Sequence, residues 1–301
     1  MTATTTDSGI AVTGSVADLS ARLENERRAG RSVGMVLTMG ALHRGHASLI
    51  ARAAAECDVV GVSVFVNPTQ FAEPADLTNY PRNLEADHEL AGRAGADLVF
   101  APSVIEMYPD WPTPAATSVT VRPLGDQWEG RSRPGHFDGV ATVVGKLLSI
   151  AGRCRTYFGE KDFQQLAVVR RVVEDLSLPV EVIGCPTVRE TDGLAISSRN
   201  VRLAPEERVA AGCLSRCLAA GAEAFRSGCD RAGVEAVMAA IVESEPLVDL
   251  DYAALVGAHD LEPADPTTDG PDSGGQPLRL LVAAQVGPVR LIDNCDPRTS
   301  W

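Results

Sequence analysis

Val33-Gly34-Met35-Val36-Leu37, followed at once by Thr38-Met39-Gly40-Ala41-Leu42-His43-Arg44-Gly45-His46, is the stretch whose reading decides the fold. Its first five residues form a short apolar run suited to a buried strand. From Ala47 to Cys57, Leu49, Ile50 and Ala53 recur at helical spacing, which predicts a helix starting near His46. A strand, a glycine-containing turn and a helix start form an anion site. The first backbone N–H groups of a helix lack internal partners, and the dipole favours negative charge there. Gly40 and Gly45 let backbone approach a ligand with no Cβ in the way. The imidazoles of His43 and His46 can donate hydrogen bonds to phosphate oxygens. A His-x-x-His pair alone is a weak signal, equally open to coincidence or to half of a metal site.

Outward from this stretch, strands and helices alternate. Ala17 to Arg28 reads as a helix through Leu19 and Leu23. Asp58 to Val66 is almost continuously apolar and ends at Asn67-Pro68-Thr69-Gln70, the mark of a strand covered on both faces. Leu84 to Gly95 reads as a helix and Ala96 to Phe100 as another buried strand. The pattern predicts an α/β fold, a Rossmann-like doubly wound parallel sheet. Ligands in such sheets gather at strand carboxyl ends, where His43, His46, Asn67 and Gln70 all fall.

Pro102 to Pro114 reads as an irregular excursion, and Gly130 to Phe137 as a polar, basic loop before a helix from Asp138 to Ile150. Arg131 and Arg133 in that loop are either solvated or part of a mobile lid. Arg155 to Phe158 repeats the strand–glycine–helix arrangement, running through Gly159-Glu160-Lys161-Asp162 into a helix that reaches Leu176. A lysine at this helix mouth can neutralise a triphosphate, and an aspartate can accept from ribose hydroxyls or cap the helix. A further strand, Pro179 to Gly184, precedes Thr187-Val188-Arg189-Glu190 and Gly193 to Asn200. Within the latter, Ile196-Ser197-Ser198-Arg199 offers two hydroxyls and a guanidinium. They suit β- and γ-phosphates, or equally a turn that caps the next helix.

From Pro205 the texture changes. Helices are expected over Glu206–Arg226 and Ala232–Glu243, and strands over Leu250–Val256, Leu280–Ala284 and Val289–Ile292. The expected organisation is a flexible N-terminal tail (1–15), a Rossmann-like domain (16–186) and a smaller C-terminal α+β lid domain (187–301). A disordered low-complexity loop is expected at about 265–277.

Composition bounds the function. The 301 residues suffice for two domains, and 27 basic against 40 acidic residues give a net charge of −13. That balance argues against a nucleic-acid partner but permits a small anionic substrate in a locally basic cleft. Seven cysteines, an odd number without CxxC spacing, suit thiols in a reducing cytosol. Residues 1–14 lack a basic start and an apolar core, and no apolar run approaches membrane-spanning length. A soluble, cytoplasmic protein without a membrane partner is expected.

Four separated stretches then coincide: Thr38 to His46, Phe65 to Phe71, Gly159 to Asp162 with Gln165, and Ile196 to Asn200. Tyr80-Pro81-Arg82, Arg133 to Gly139 and Arg290-Leu291-Ile292-Asp293-Asn294 add to them. In this order the set resembles the pantoate–β-alanine ligases, or pantothenate synthetases, within the nucleotidyltransferases that carry an HIGH-type histidine motif. The resemblance runs from about residue 16 to 294. Three departures stand out: Leu37 and Ile196 replace a usual proline and methionine, and Gly287-Pro288-Val289-Arg290 replaces Gly-Thr-Thr-Arg. The 265–277 loop also looks longer than usual. None of these changes removes a charged catalytic group.

The resemblance implies ATP-dependent condensation of pantoate with β-alanine through a pantoyl adenylate, releasing AMP and pyrophosphate. It implies that His43, His46, Lys161, Ser197, Ser198 and Arg199 surround the phosphates, with Mg²⁺ neutralising the leaving pyrophosphate and His46 matching the proton-donating histidine. ATP would lie along Met39, Gly40, Ala41, Leu42, Arg44 and Gly45, and along Gly159, Glu160, Asp162, Val188 and Ile196. Gln70 and Gln165 match the positions that hydrogen-bond pantoate, with Gln70 also facing β-alanine and Asn67 assisting. A homodimer is implied. The rival readings are another HIGH-type nucleotidyltransferase, a non-catalytic adenine-nucleotide sensor and a zinc hydrolase built on His43 and His46. An aminoacyl-tRNA synthetase is disfavoured by the net charge of −13.

Overall fold

The computed structural model describes residues 10–71, 77–265 and 277–298. The chain divides into two compact units. One takes the residues up to Gly159 with Val168–Cys185, and the other takes Glu160–Ala167 with the residues from Pro186 onward.

The first unit is an α/β body on a six-stranded sheet. Its strands are β1 (Ala11–Thr13), β2 (Val33–Thr38), β3 (Val59–Val64), β4 (Leu98–Phe100), β5 (Cys154–Gly159) and β6 (Val180–Cys185). They lie in the order β1-β4-β3-β2-β5-β6, every neighbouring pair parallel. The apolar runs of β2 and β3 are almost wholly buried, as a sheet covered on both faces requires. Leu19 and Leu23 of the Val16–Arg28 helix, and Leu49, Ile50 and Ala53 of the Arg44–Glu56 helix, supply buried faces. Thr38 pairs with Val64, so β2 and β3 end level. The order of strands reverses between β2 and β5, so the carboxyl ends of these two flank the topological switch point, where such sheets take ligands.

Several boundaries differ from the sequence reading. Residues 1–9 of the expected tail lie outside the described residues, but Ala11–Thr13 is a strand pairing with Leu98–Phe100. The edge of β4 needs a partner for its backbone groups, and Ile10, 4% exposed, anchors the segment. The Arg44–Glu56 helix starts two residues early because His43 caps it. The excursion after β4 contains a helical turn, Val104–Met107, whose Glu106 N–H donates to Ser103 Oγ at 3.1 Å. The basic loop contains another, Glu129–Ser132, and the next helix begins at His136 behind Gly135, whose φ of +77° suits glycine.

The second unit packs helices on a three-stranded antiparallel sheet of β7 (Val248–Gly257), β8 (Leu278–Val286) and β9 (Val289–Cys295). The expected helix over 206–226 is two, Pro205–Ala210 and Cys213–Arg226, and a further helix, Arg231–Glu243, follows. Leu214, Leu218 and Met238 pack with Leu255, Leu280 and Val282 in the core. Gly287 and Pro288 form the two-residue connection from β8 to β9. A φ of +52° at the first position with proline at the second is the II′ pattern, which gives the departure at 287–290 a physical reason. Of the expected disordered loop, residues 266–276 lie outside the described residues. No described helix is long and apolar enough to cross a membrane.

Candidate functional site

In the first unit the turn after β2 is built by long-range hydrogen bonds. Thr38 Oγ1 donates to Ser63 O at 2.7 Å and accepts from Gly40 N at 3.1 Å. Gly40 and Ala41 have φ of +83° and +51°, left-handed values that strain a residue with a Cβ. Asp87, 3% exposed on the Leu84–Arg93 helix, holds the turn. Its carboxylate accepts from Ala41 N at 3.0 Å and Leu42 N at 2.7 Å. A Cβ on Gly40 would stand 2.8 Å from Asp87 Oδ2, so glycine is needed for shape as well as for conformation.

The two histidines then form a capping box made of imidazoles. Gly45 N donates to His43 Nδ1 at 3.1 Å, and His43 N donates to His46 Nδ1 at 3.3 Å. Each neutral ring therefore carries its proton on Nε2, which makes that nitrogen a donor. The rings lie 4.1 Å apart between centroids, and a Cβ on Gly45 would come within 2.9 Å of His43 Cε1.

Beyond β3, Asn67 caps the 3-10 turn Pro68–Gln70 and is 1% exposed. Its Nδ2 donates to Gly139 O at 3.2 Å and Gln70 Oε1 at 3.1 Å. Its Oδ1 accepts from Thr69 N at 3.3 Å and Tyr108 Oη at 3.0 Å. Gln70 Nε2 in turn reaches Met39 Sδ at 2.9 Å, so the glutamine and the histidine turn meet. Arg133 donates to His136 Nε2 at 3.0 Å, leaving His136 Nδ1 to donate to Gln70 O at 2.9 Å. Gly139 allows the close approach of its helix, since a Cβ there would lie 2.5 Å from Thr69 O. Gly159 belongs to this unit as well, at the end of β5.

In the second unit, Asn294 of β9 holds the lysine segment. Its Nδ2 donates to Glu160 O at 2.9 Å and Lys161 O at 2.7 Å. Arg279 binds Asn294 Oδ1 at 2.7 Å and Glu160 Oε2 at 2.9 Å, and lies 4.2 Å from the Phe163 ring centroid. Lys161 Nζ stands 3.5 Å from Asp162 Oδ1. Residues 188–196 form a hairpin closed by Ile196 N to Val188 O at 2.9 Å and Glu190 N to Leu194 O at 2.8 Å. Arg189 carries it to β9, donating to Asp293 at 2.5 and 3.0 Å and to Asn294 O at 3.3 Å. Ser197 Oγ accepts from Arg199 N at 3.2 Å, and Asn200 Nδ2 donates to Ala195 O at 3.0 Å. Ser197 and Ser198 are half-buried and Arg199 is exposed.

The expected site residues thus fall into two sets. Met39 to His46, Asn67 and Gln70 come together in the first unit, with Gly159 at a neighbouring strand end. Glu160, Lys161 and Asp162 come together in the second with Val188 and Ile196 to Arg199, joined through Asn294 and Arg189, and Gln165 lies on the same 160–167 segment. The sequence reading did not single out Asp87, Tyr108, His136, Arg279 or Asp293. Only the quoted motifs around 133–139 and 290–294 hinted at some of them. The seven cysteines are thiols outside disulfides, and burial pushes those of Cys154 and Cys295 up to about 12 and Cys213 to about 11. Such thiols are poor nucleophiles. Among the described residues no three His, Cys, Asp or Glu side chains gather as a metal-holding group.

Residues 11–296 match the family model described as pantoate-beta-alanine ligase. A pantothenate synthetase of Rubrobacter xylanophilus is 50% identical over 284 residues, covering 93% of this chain and 94% of that protein. One from Salinispora arenicola is 51% identical over 266 residues, covering 87% and 90%. The crystal structure of pantothenate synthetase from Thermus thermophilus matches with a TM-score of 0.85 at 46% identity, covering 96% of this chain and 99% of that one. That of pantoate-beta-alanine ligase from Francisella tularensis, complexed with beta-gamma ATP and beta-alanine, matches with a TM-score of 0.75 at 32% identity, covering 96% and 98%. With a parallel sheet, a histidine turn and a lysine segment in the order the family's motifs require, the chain belongs to the pantoate–β-alanine ligase family.

Proposed function

We propose that this enzyme condenses pantoate with β-alanine through a pantoyl adenylate, releasing pyrophosphate and then AMP. A carboxylate is a poor electrophile. One pantoate oxygen therefore attacks the α-phosphorus of ATP, the bond to the pyrophosphate oxygen breaks, and a mixed anhydride remains. The β-alanine amine then attacks the acyl carbon, loses a proton, and AMP leaves. No enzyme nucleophile is required, only positioning and stabilisation of charge on the phosphates.

The observation that carries this reading is the imidazole capping box. It presents two Nε2–H donors at the N-terminus of the Arg44–Glu56 helix, where an anion is favoured. We assign His43, His46, Lys161, Ser197, Ser198 and Arg199 to the phosphates, with His46 donating to the oxygen where charge develops. Met39 to Leu42, Arg44, Gly45, Gly159, Glu160, Asp162, Val188 and Ile196 are assigned to the rest of ATP. Gln70 and Gln165 are assigned to pantoate, with Gln70 also facing β-alanine and Asn67 holding Gln70 in place.

The phosphate set consists of imidazoles, hydroxyls, a lysine and an arginine, and the Glu160 carboxylate is engaged by Arg279. That set grips the phosphate oxygens, and Mg²⁺ with its own waters would be carried on those same oxygens: Lys161 would hold the phosphates, and the Ser197 and Ser198 hydroxyls are the oxygen donors of the set that would face the ion. When bound, the ion neutralises charge on the departing pyrophosphate. A ligase acting as a cytoplasmic homodimer is in keeping with the family, and cysteines outside disulfides suit a reducing compartment.

Product analysis by mass spectrometry tests the reading. ATP with pantoate alone is expected to give an enzyme-bound adenylate and pyrophosphate, and β-alanine then to release AMP and pantothenate. ADP as product, or a phosphorylated enzyme, would overturn it.

A further inference from the structure

We infer that Tyr108 and Asn67 are positioning residues that lock Gln70 as a hydrogen-bond donor, so the substrate atom it receives must be an acceptor oxygen. The inference rests on the assignment of pantoate to Gln70.

The polarity can be read from groups whose roles are unambiguous. A backbone carbonyl only accepts and a backbone N–H only donates. The atom of Asn67 that faces Gly139 O at 3.2 Å is therefore the amide nitrogen, and the atom that faces Thr69 N at 3.3 Å is the amide oxygen. The Tyr108 hydroxyl, 3.0 Å from that oxygen, donates to it and holds the same orientation from a second side. Asn67 Nδ2 also faces Gln70 at 3.1 Å, and a donor there requires the Gln70 oxygen. The glutamine nitrogen is thereby turned the other way, toward the weakly accepting Met39 sulfur at 2.9 Å.

The lock is buried and braced. Asn67, Gln70 and Tyr108 are 1%, 7% and 5% exposed, so water is a poor substitute for any of these partners. Lys146 lies 5.3 Å from the Tyr108 ring centroid and donates to Met107 O, and His136 pins the Gln70 backbone from its carbonyl side. Substrate oxygens, carboxylate above all, then meet an N–H₂ edge. A donor group offered to the same edge is refused, so β-alanine, which Gln70 also faces, would meet it through its carboxylate and not through its ammonium.

Three variants read by calorimetric titration of pantoate and of ATP decide the matter. Gln70→Ala is expected to weaken pantoate about 5- to 150-fold, the range for a lost buried hydrogen bond. Gln70→Glu is expected to weaken it by at least a further tenfold, since the locked position now presents an anionic oxygen to the carboxylate. Tyr108→Phe is expected to weaken pantoate about fivefold while ATP stays within twofold. If Gln70→Glu binds pantoate as well as or better than Gln70→Ala, the donor lock is wrong. If Tyr108→Phe weakens both ligands alike, Tyr108 only supports the fold. If Gln70→Ala leaves pantoate untouched, the assignment of pantoate to this glutamine fails first and takes the inference with it. Should Tyr108→Phe not fold, the two Gln70 variants decide the polarity alone.

Discussion

Asp87 in the first unit and Asp293 in the second are buried to the same degree, each 3% exposed, yet they hold their surroundings by different means. Asp87 gives its oxygens to the backbone of Ala41 and Leu42, two consecutive N–H groups of the histidine turn. Asp293 gives its oxygens to the guanidinium of Arg189 and to Asn294 N at 2.7 Å. A carboxylate answered by peptide dipoles fixes the planes of those peptides, and so the shape of one turn. A carboxylate answered by a cation fixes two chain segments against each other and cancels a buried charge. Shape is set by the first device and attachment by the second.

Asp293→Ala carries the largest expected effect. It strands Arg189, whose side chain is 19% exposed, without its main counter-charge, at an expected cost of about 3–5 kcal/mol. Denaturant unfolding measures this, and a loss below about 1 kcal/mol would erase the contrast between the two aspartates.

Asp87→Asn comes next. The variant keeps one acceptor but turns an N–H₂ group onto a backbone N–H, which should remove about 1–3 kcal/mol. With Ala41 held at a φ of +51°, the released turn relaxes, and the proposed adenylate-forming step should slow about tenfold. Wild-type single-turnover rates would mean that the turn keeps its shape unaided.

The smallest effect belongs to Asp192 and Arg208, a pair with side chains 44% and 31% exposed. The Arg208 hydrogen bond holds the Asp192 carboxyl below its usual value of 3.8, with burial opposing. A lowered folded value means that this stabilisation is present above pH 3.8 and is lost as pH falls through the lower folded value. Solvent screening keeps it under about 1 kcal/mol. The stability gap between wild type and Arg208→Ala should therefore be small at pH 7 and vanish on acidification; a gap that widened in acid would contradict the assignment.

The central strands were legible because β2 and β3 are covered on both faces and must be apolar at nearly every position. The histidine turn was legible because glycine marks positive φ and close approach, as Gly40 and Gly45 do. Asp87 was not. It is one of 40 acidic residues and sits in the first turn of a helix, where a carboxylate needs no further reason. Its partners lie 45 and 46 positions away. Asn67 shows the opposite difficulty: a polar residue at a strand end invites a ligand role, while its amide is engaged by Gly139, Gln70, Thr69 and Tyr108. β1 escaped notice because three residues carry no period, and its pairing is written into the exposed edge of β4 rather than into its own sequence.

The grip of Asn294 on the lysine segment sets a timetable for synthesis. Lys161 and Asn294 are 133 positions apart, and the hydrogen bond between them cannot form until the last strand has been made. At roughly 5–20 residues per second on the ribosome, Lys161 waits on the order of ten seconds after its own translation. During that interval the segment lacks its Asn294 hydrogen bonds, so a nascent chain that stops short of β9 leaves the Glu160 and Lys161 carbonyls without that donor, and Arg279 of β8 to hold the segment through the Glu160 side chain. The conformation of this segment is thus tied to a strand made more than a hundred residues later.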